Sequence, residues 1–438
     1  VRREAAAQHR VLGSHAFRGL RATEHLFHVP LDHADPEGEH IEVFAREYAS
    51  AAHPVESIDR LPWLVFLQGG PGGRGVRVTS LSGWMKEAAK DFRILMLDQR
   101  GTGLSSPADR LSLPLRGKPR DQVEYLAHFR ADSIVLDCES IRRALGSAPW
   151  TVYGQSYGGF CTLTYLSIAP QGVRQALITG GLAPLEGPAD RVYRATYARL
   201  AARNSEYFSW YPEDRGHLAE IAHHVRRVCE RLPDGSRLTP ERLQLVGSFL
   251  GGNTRVDSLH YLLEDAFTRS VEGRRLSDAF LHQVHSAVTR APNPLYAVMH
   301  ESIYAQAQST DWAAWRLLAE YPEFRADAEE PLLLGEMVCP WLFEQDPALT
   351  PLAETAALLA EKADWGMLYD PPRLAENEVP VAAAVYRDDI YVDRTLSLET
   401  AASIRGLKVW ETADFHHDGI SDDGEGIFAR LLGLVRED

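Results

Sequence analysis

Cysteine is scarce in this chain: there are four in 438 residues, Cys138, Cys161, Cys229 and Cys339, with no two in C-x-x-C spacing. That scatter excludes a disulfide-built scaffold, and the four read as buried thiols in a reducing compartment. Long apolar runs are missing too. None reaches the roughly 20 residues a membrane span needs, and Val1 to Arg10 lacks the charged, apolar, small order of a signal peptide. No membrane association is expected, and the cytoplasm is the default location. Positive charge is in deficit, with 46 Lys and Arg against 61 Asp and Glu and a net charge of −15. That balance argues against a nucleic-acid partner, because phosphate binding needs clustered cations, while an acidic surface mildly favours cationic substrates.

Metal and nucleotide signatures are absent as well. Neither His223-His224 nor His416-His417 belongs to an H-E-x-x-H pattern, so no metal is expected. Gly69 to Gly73 has the glycine density of a phosphate loop but no following Lys and Ser or Thr. No internal repeat is visible. What is present is an ordinary globular composition, 45% hydrophobic and 24% charged, enough to bury a sizeable core. The length allows about three domains, or one α/β core with a large insertion.

Along the chain, residues 1 to 20 show no clear pattern and suggest a mobile arm or a short helix. Two strands, His25 to Asp32 and Ile41 to Tyr48, flank the turn residues Asp35-Pro36-Glu37-Gly38 and predict an antiparallel hairpin. Leu64 to Leu67 is a continuous apolar run, as expected of a strand buried on both faces, and Phe92 to Leu97 repeats the pattern apart from Arg93. Each ends in a glycine-bearing loop, Gln68-Gly69-Gly70-Pro71-Gly72-Gly73 and Asp98-Gln99-Arg100-Gly101-Thr102-Gly103, which suggests a parallel sheet whose carboxyl ends form a site. Ile134, Cys138, Ile141 and Leu145 mark one helical face, with Asp132 or Ser133 as its cap.

Trp150 to Tyr153 then reads as a strand, Phe160 to Leu166 as a core helix, and between them lies Gly154-Gln155-Ser156-Tyr157-Gly158-Gly159. A serine in this frame is a nucleophile elbow, a turn so tight that only small residues fit two before and two after it. Gln175 to Gly180 is a further strand. From about 185 to 345 the periodicity is helical, for example Leu259, Leu262, Leu263, Ala266 and Phe267. Strands return at Val379 to Tyr386 and Leu407 to Trp410, before a closing helix around Ile427 to Val435. The expected architecture is an α/β-hydrolase fold: a mostly parallel sheet flanked by helices, with core segments 1–184 and 346–438 and an all-helical cap at 185–345.

A serine hydroxyl needs an imidazole to take its proton and a carboxylate to hold that imidazole, and in this fold the chain order is Ser, acid, His. Asp388 and Asp389 follow the penultimate strand and His416 and His417 the last. The glycine loop, Asp98-Gln99-Arg100-Gly101, the elbow and the Asp then His tail together resemble the proline iminopeptidases, serine peptidases that release an N-terminal residue, usually proline, without metal or organic cofactor. Gln68 departs from the family pattern, which commonly has histidine there, and points to a divergent branch.

The resemblance implies Ser156 as nucleophile and His417 as base, since His417 precedes Asp418-Gly419 as in the family motif. It implies Asp389 as the orienting acid, with Asp388 its close competitor and Asp393 less suited. Oxyanion donors would be the N–H of Tyr157 and one from Gly69 or Gly70. Asp98 and Arg100 would be structural. An aminopeptidase also needs a carboxylate for the charged terminus of its peptide substrate. Glu301, on an expected helix from Tyr296 to Tyr304, and Glu336 are the candidates, although Glu301 also fits the surface of an amphipathic helix. Trp341 and Phe343 could wall a proline pocket. The alternatives are an esterase or other amide hydrolase on the same scaffold, or a noncatalytic binding protein of that fold.

Overall fold

In the computed structural model, residues 7–271 and 273–437 are described. The strands in chain order are β1 (Gln8–Phe17), β2 (Leu20–Pro30), β3 (His40–Ser50), β4 (Trp63–Leu67), β5 (Arg93–Leu97), β6 (Trp150–Gln155), β7 (Val173–Thr179), β8 (Phe267–Ser270), β9 (Gly273–Leu276), β10 (Val381–Tyr386) and β11 (Leu407–Thr412). Nine of them form one sheet in the order β1-β2-β3-β5-β4-β6-β7-β10-β11. The six from β5 to β11 run parallel, and β1 to β3 extend the sheet as an antiparallel meander.

The amino-terminal stretch differs from expectation. From Gln8 it is a strand, not an arm or a helix, and residues 1–6 lie outside the described residues. Most of β1 is exposed on both faces, so burial imposed no period-two pattern on its sequence.

Alternation sorts the inner strands between two faces. Leu64, Phe66, Tyr153, Ala382 and Ala384 pack with Phe428 and Leu431 of the helix Gly419–Arg436. Val65, Leu67, Val152 and Ala383 pack on the other side with Ile134, Cys138 and Ile141 of the helix Ala131–Ala144. That helix is capped by neither Asp132 nor Ser133. Arg130 occupies the N-cap position in an extended conformation without a side-chain cap bond, and its guanidinium instead donates to the carbonyls of Ser302 and Gly366 at 3.3 and 2.6 Å.

The long segment between β7 and β10 is helical apart from the β8–β9 ribbon. Leu259, Leu262 and Leu263 are buried as their spacing predicts, but the helix Val256–Glu264 stops short of Ala266, and Phe267 opens β8. The expected helix from Tyr296 to Tyr304 divides into Pro294–Met299 and a tighter turn, Glu301–Tyr304. Of the cysteines, Cys138, Cys161 and Cys339 are buried; Cys229 is exposed, contrary to expectation, just beyond the helix Pro212–Arg227. No helix among the described residues is long and apolar enough to cross a membrane.

Because β4 neighbours both β5 and β6, chain progression reverses there, and loops leaving the carboxyl ends of β4 and β6 open side by side. Those loops carry the glycines and Ser156.

Candidate active site

Ser156 joins β6 to the helix Tyr157–Ile168 with φ 55° and ψ −124°, a conformation that costs a non-glycine residue strain and lifts its side chain clear of the sheet. The glycine frame follows from contact. A Cβ on Gly158 would stand 1.8 Å from the carbonyl oxygen of Leu67, and one on Gly154 would stand 2.3 Å from that of Gly158. A side chain at Gly158 would push the helix off β4, and one at Gly154 would push it off β6.

The Ser156 Oγ lies 3.0 Å from Nε2 of His417. On the other side of the ring, Nδ1 is 2.9 and 3.1 Å from the two carboxylate oxygens of Asp389. Asp389 is fixed in turn, accepting the backbone N–H groups of Tyr391 and Val392 at 2.8 and 3.0 Å. Nδ1 therefore carries the proton facing Asp389, which leaves Nε2 free to accept from the serine. Burial pushes the His417 imidazole down, but Asp389, then Glu336 and Asp418, outweigh it and raise it to about 9.

The neighbouring residues do other work. Asp388 turns to the surface toward Arg199 and Arg387, and only its backbone carbonyl is used nearby, accepting from His416 Nδ1 at 3.1 Å. Asp393 caps the helix Arg394–Ala402.

Opposite the serine, the backbone of Gly69 comes so close that a Cβ there would lie 3.2 Å from that of Ser156. Among the described residues, the N–H groups of Gly69, Gly70 and Tyr157 find no acceptor, which leaves donors around the hydroxyl. The loop after β5 braces this arrangement. Buried Asp98 accepts from Gly75 N–H at 2.9 Å and from both terminal nitrogens of Arg77 at 2.8 and 2.6 Å. Arg100 is bidentate to Asp137 and donates to the carbonyls of Leu31 and His128.

The two cap glutamates differ sharply. Glu301 is buried, and its two oxygens accept the N–H groups of Ala313 and Ala314, each at 3.0 Å, which caps the helix Ala313–Leu317. The void beside it is only about 10 Å3, room for one water and not for an ammonium-bearing ring. The Glu336 carboxylate, by contrast, makes no hydrogen bond or ion pair among the described residues, and its charge and that of His417 act on each other. Burial pushes its carboxyl up, while His417, Arg290 and Arg255 pull the other way. Phe343 is buried with its ring edge toward Trp312, on the Glu301 side, and Trp341 is half-buried against the core. Neither aromatic is brought to the triad.

One other cluster has metal-ligand chemistry: donor atoms of Glu213, Asp214 and His260 lie within 4.8 Å of one another. It stands apart from Ser156, and Asp214 already accepts from Tyr207 and from His260 Nδ1.

Comparison with known proteins agrees with this geometry. The family described as alpha/beta hydrolase fold matches residues 62–209. A proline iminopeptidase of Aeromonas sobria is 46% identical over 422 residues, covering 96% of this chain and 97% of that protein. The chain belongs to the proline iminopeptidase family. A proline iminopeptidase of Aspergillus aculeatus is 32% identical across 95% of this chain and 94% of its own, and a tripeptidyl aminopeptidase of Streptomyces coelicolor is 27% identical across 66% and 60%.

In this member of the proline iminopeptidase family, sequence reasoning passed over a ring of tyrosines. Tyr391 sets its ring edge-on to His417 at 5.0 Å between centroids, and its hydroxyl, like that of Tyr296, is buried without a partner. Burial pushes the hydroxyls of Tyr296, Tyr304 and Tyr391 up, and the charge of Glu336 adds to that in each. Only Tyr391, two residues after the triad acid, carried any positional signal.

Proposed function

We propose that this protein is a serine aminopeptidase that removes an N-terminal residue, proline foremost, from peptides through an acyl-enzyme. Ser156 is the nucleophile, His417 the general base and then acid, and Asp389 the residue that holds the imidazole's tautomer. The observation that carries the reading is the unbroken chain from Ser156 Oγ through His417 to Asp389, with the charge of Glu336 acting on the same imidazole.

The steps follow from the atoms. Nε2 of His417 accepts the Ser156 proton as Oγ attacks the scissile carbonyl, and the resulting imidazolium is stabilised by Asp389. The oxyanion is met by N–H groups of Tyr157 and of Gly69 or Gly70, donors held by the elbow and by the loop that Asp98 and Arg77 brace. His417 then returns the proton to the leaving amine, and a water activated in the same way releases the free amino acid. Glu336 accepts the substrate ammonium, and burial of its carboxyl makes such a charge-assisted bond strong. Glu301 does not serve this role, because both its oxygens are committed to a helix terminus.

The test is a set of prolyl arylamides with free and with blocked amino groups. The expected result is hydrolysis of the free form alone, lost in Ser156→Ala. Equal turnover of blocked and free forms would make the protein a general amide or ester hydrolase instead.

A further inference from the structure

We infer that the groove beside Arg255 is the subsite for the free carboxylate of the departing peptide, so that short peptides with an unblocked C-terminus are the substrates this chain selects. The inference rests on the aminopeptidase reading above. The groove, about 530 Å3, is lined by Ser248, Phe249, Arg255, His282, Gln283 and Ser286. Arg255 is its one permanently charged lining residue, a fixed cation in a chain of net charge −15.

Its location relative to the chemistry comes from three fastenings. Arg255 Nη2 lies 3.1 Å from Oδ2 of Asp418, the residue after His417. The Asp418 N–H donates to the Gly251 carbonyl at 3.1 Å, and Asn253 Nδ2 donates to the Asp414 carbonyl at 3.1 Å. The segment 251–255 is thus pinned along the loop that carries the imidazole. A leaving amine takes its proton from that imidazole, so the departing chain must run out over the His417 side of Ser156. Arg255 is the cation fastened to that side. Arg255 is half exposed, and its Nε and Nη1 make no hydrogen bond among the described residues, which leaves N–H donors besides the one on Asp418 to meet a carboxylate. Its charge also reaches Glu336 and Tyr391, so one electrostatic neighbourhood joins the groove to the amine site. Glu336 for the ammonium and Arg255 for the carboxylate would together gauge both ends of a short peptide.

The experiment compares kcat/KM for Pro-Xaa and Pro-Xaa-Xaa as free acids and as C-terminal amides, with a prolyl arylamide alongside, in wild type, Arg255→Gln and Arg255→Lys. The free acid should exceed its amide by about tenfold at one of the two lengths, mainly through KM, the factor expected of one charge-assisted contact. That ratio should fall to near one in Arg255→Gln and be partly kept in Arg255→Lys. Using the ratio cancels any general effect of the substitution on Asp418 and His417. Equal use of acid and amide at both lengths by wild type, or a ratio that survives Arg255→Gln, overturns the subsite. Failure to cleave any prolyl substrate, the arylamide included, would overturn the aminopeptidase reading itself.

Discussion

Asp389 holds His417 through both carboxylate oxygens, at 2.9 and 3.1 Å from Nδ1, while adjacent Asp388 points to surface arginines. One residue of register after β10 decides which acid meets the imidazole. Asp389→Asn should lower kcat on a prolyl arylamide by about ten-thousandfold by favouring the wrong tautomer, and Asp388→Asn should stay within a few-fold of wild type. Comparable losses in both variants would contradict the assignment.

The pH profile follows from His417, which its carboxylate neighbours hold at about 9 against the effect of burial. A general base works only when neutral. On a neutral ester, which brings no titrating amine of its own, kcat/KM should therefore fall as pH drops through about 9, well above the ordinary histidine value of 6.5. Stability runs the other way: the charged form favours folding, a contribution fully present below 6.5 and lost as pH rises through about 9. Glu336→Gln removes one supporting carboxylate and should move the acid limb to lower pH. An acid limb at or below 6.5 would contradict this.

The two cap glutamates should separate stability from activity. Glu301→Ala strands two N–H groups at a helix start and should cost about 2 kcal/mol, seen as a lower melting temperature. Glu336→Gln should leave melting almost unchanged and raise KM for a free-amino prolyl arylamide about tenfold or more, with neutral esters much less affected. If the effects were exchanged, Glu301 would be the amine anchor.

Glycine substitutions test the elbow. Gly158→Ala places a methyl against the Leu67 carbonyl and should yield little folded, active protein. Gly216→Ala, on an exposed stretch of the helix Pro212–Arg227 with nothing within 4 Å, should stabilise by up to about 1 kcal/mol. Normal activity in Gly158→Ala, measured with the prolyl arylamide, would mean that the strand and helix can part.

Much of the core was legible because burial on both faces writes itself into sequence: β4 and β10 are unbroken apolar runs, Ile94 to Leu97 of β5 is another, and the elbow after β6 has a fixed glycine frame. Asp388 and Asp389 could not be separated, since both follow the same strand and only the turn decides which faces inward. In the cap, Glu301 and Glu336 look alike in sequence, each among apolar neighbours. What distinguishes them is a partner more than ten residues away: the helix start at Ala313 and Ala314 for Glu301, the imidazole for Glu336. Phe343 was apolar for the core and not for a substrate, a difference composition does not encode. β1 was missed because exposure on both faces leaves no period to read.

The central claim is that a hydroxyl at Ser156 is activated by His417. Treatment with a fluorophosphonate, followed by intact-mass and peptide-level mass spectrometry, measures it directly. One adduct per chain, located on Ser156, absent in Ser156→Ala and greatly slowed in His417→Ala, is the expected result. No adduct on Ser156 in wild-type protein that still cleaves a prolyl arylamide would contradict it.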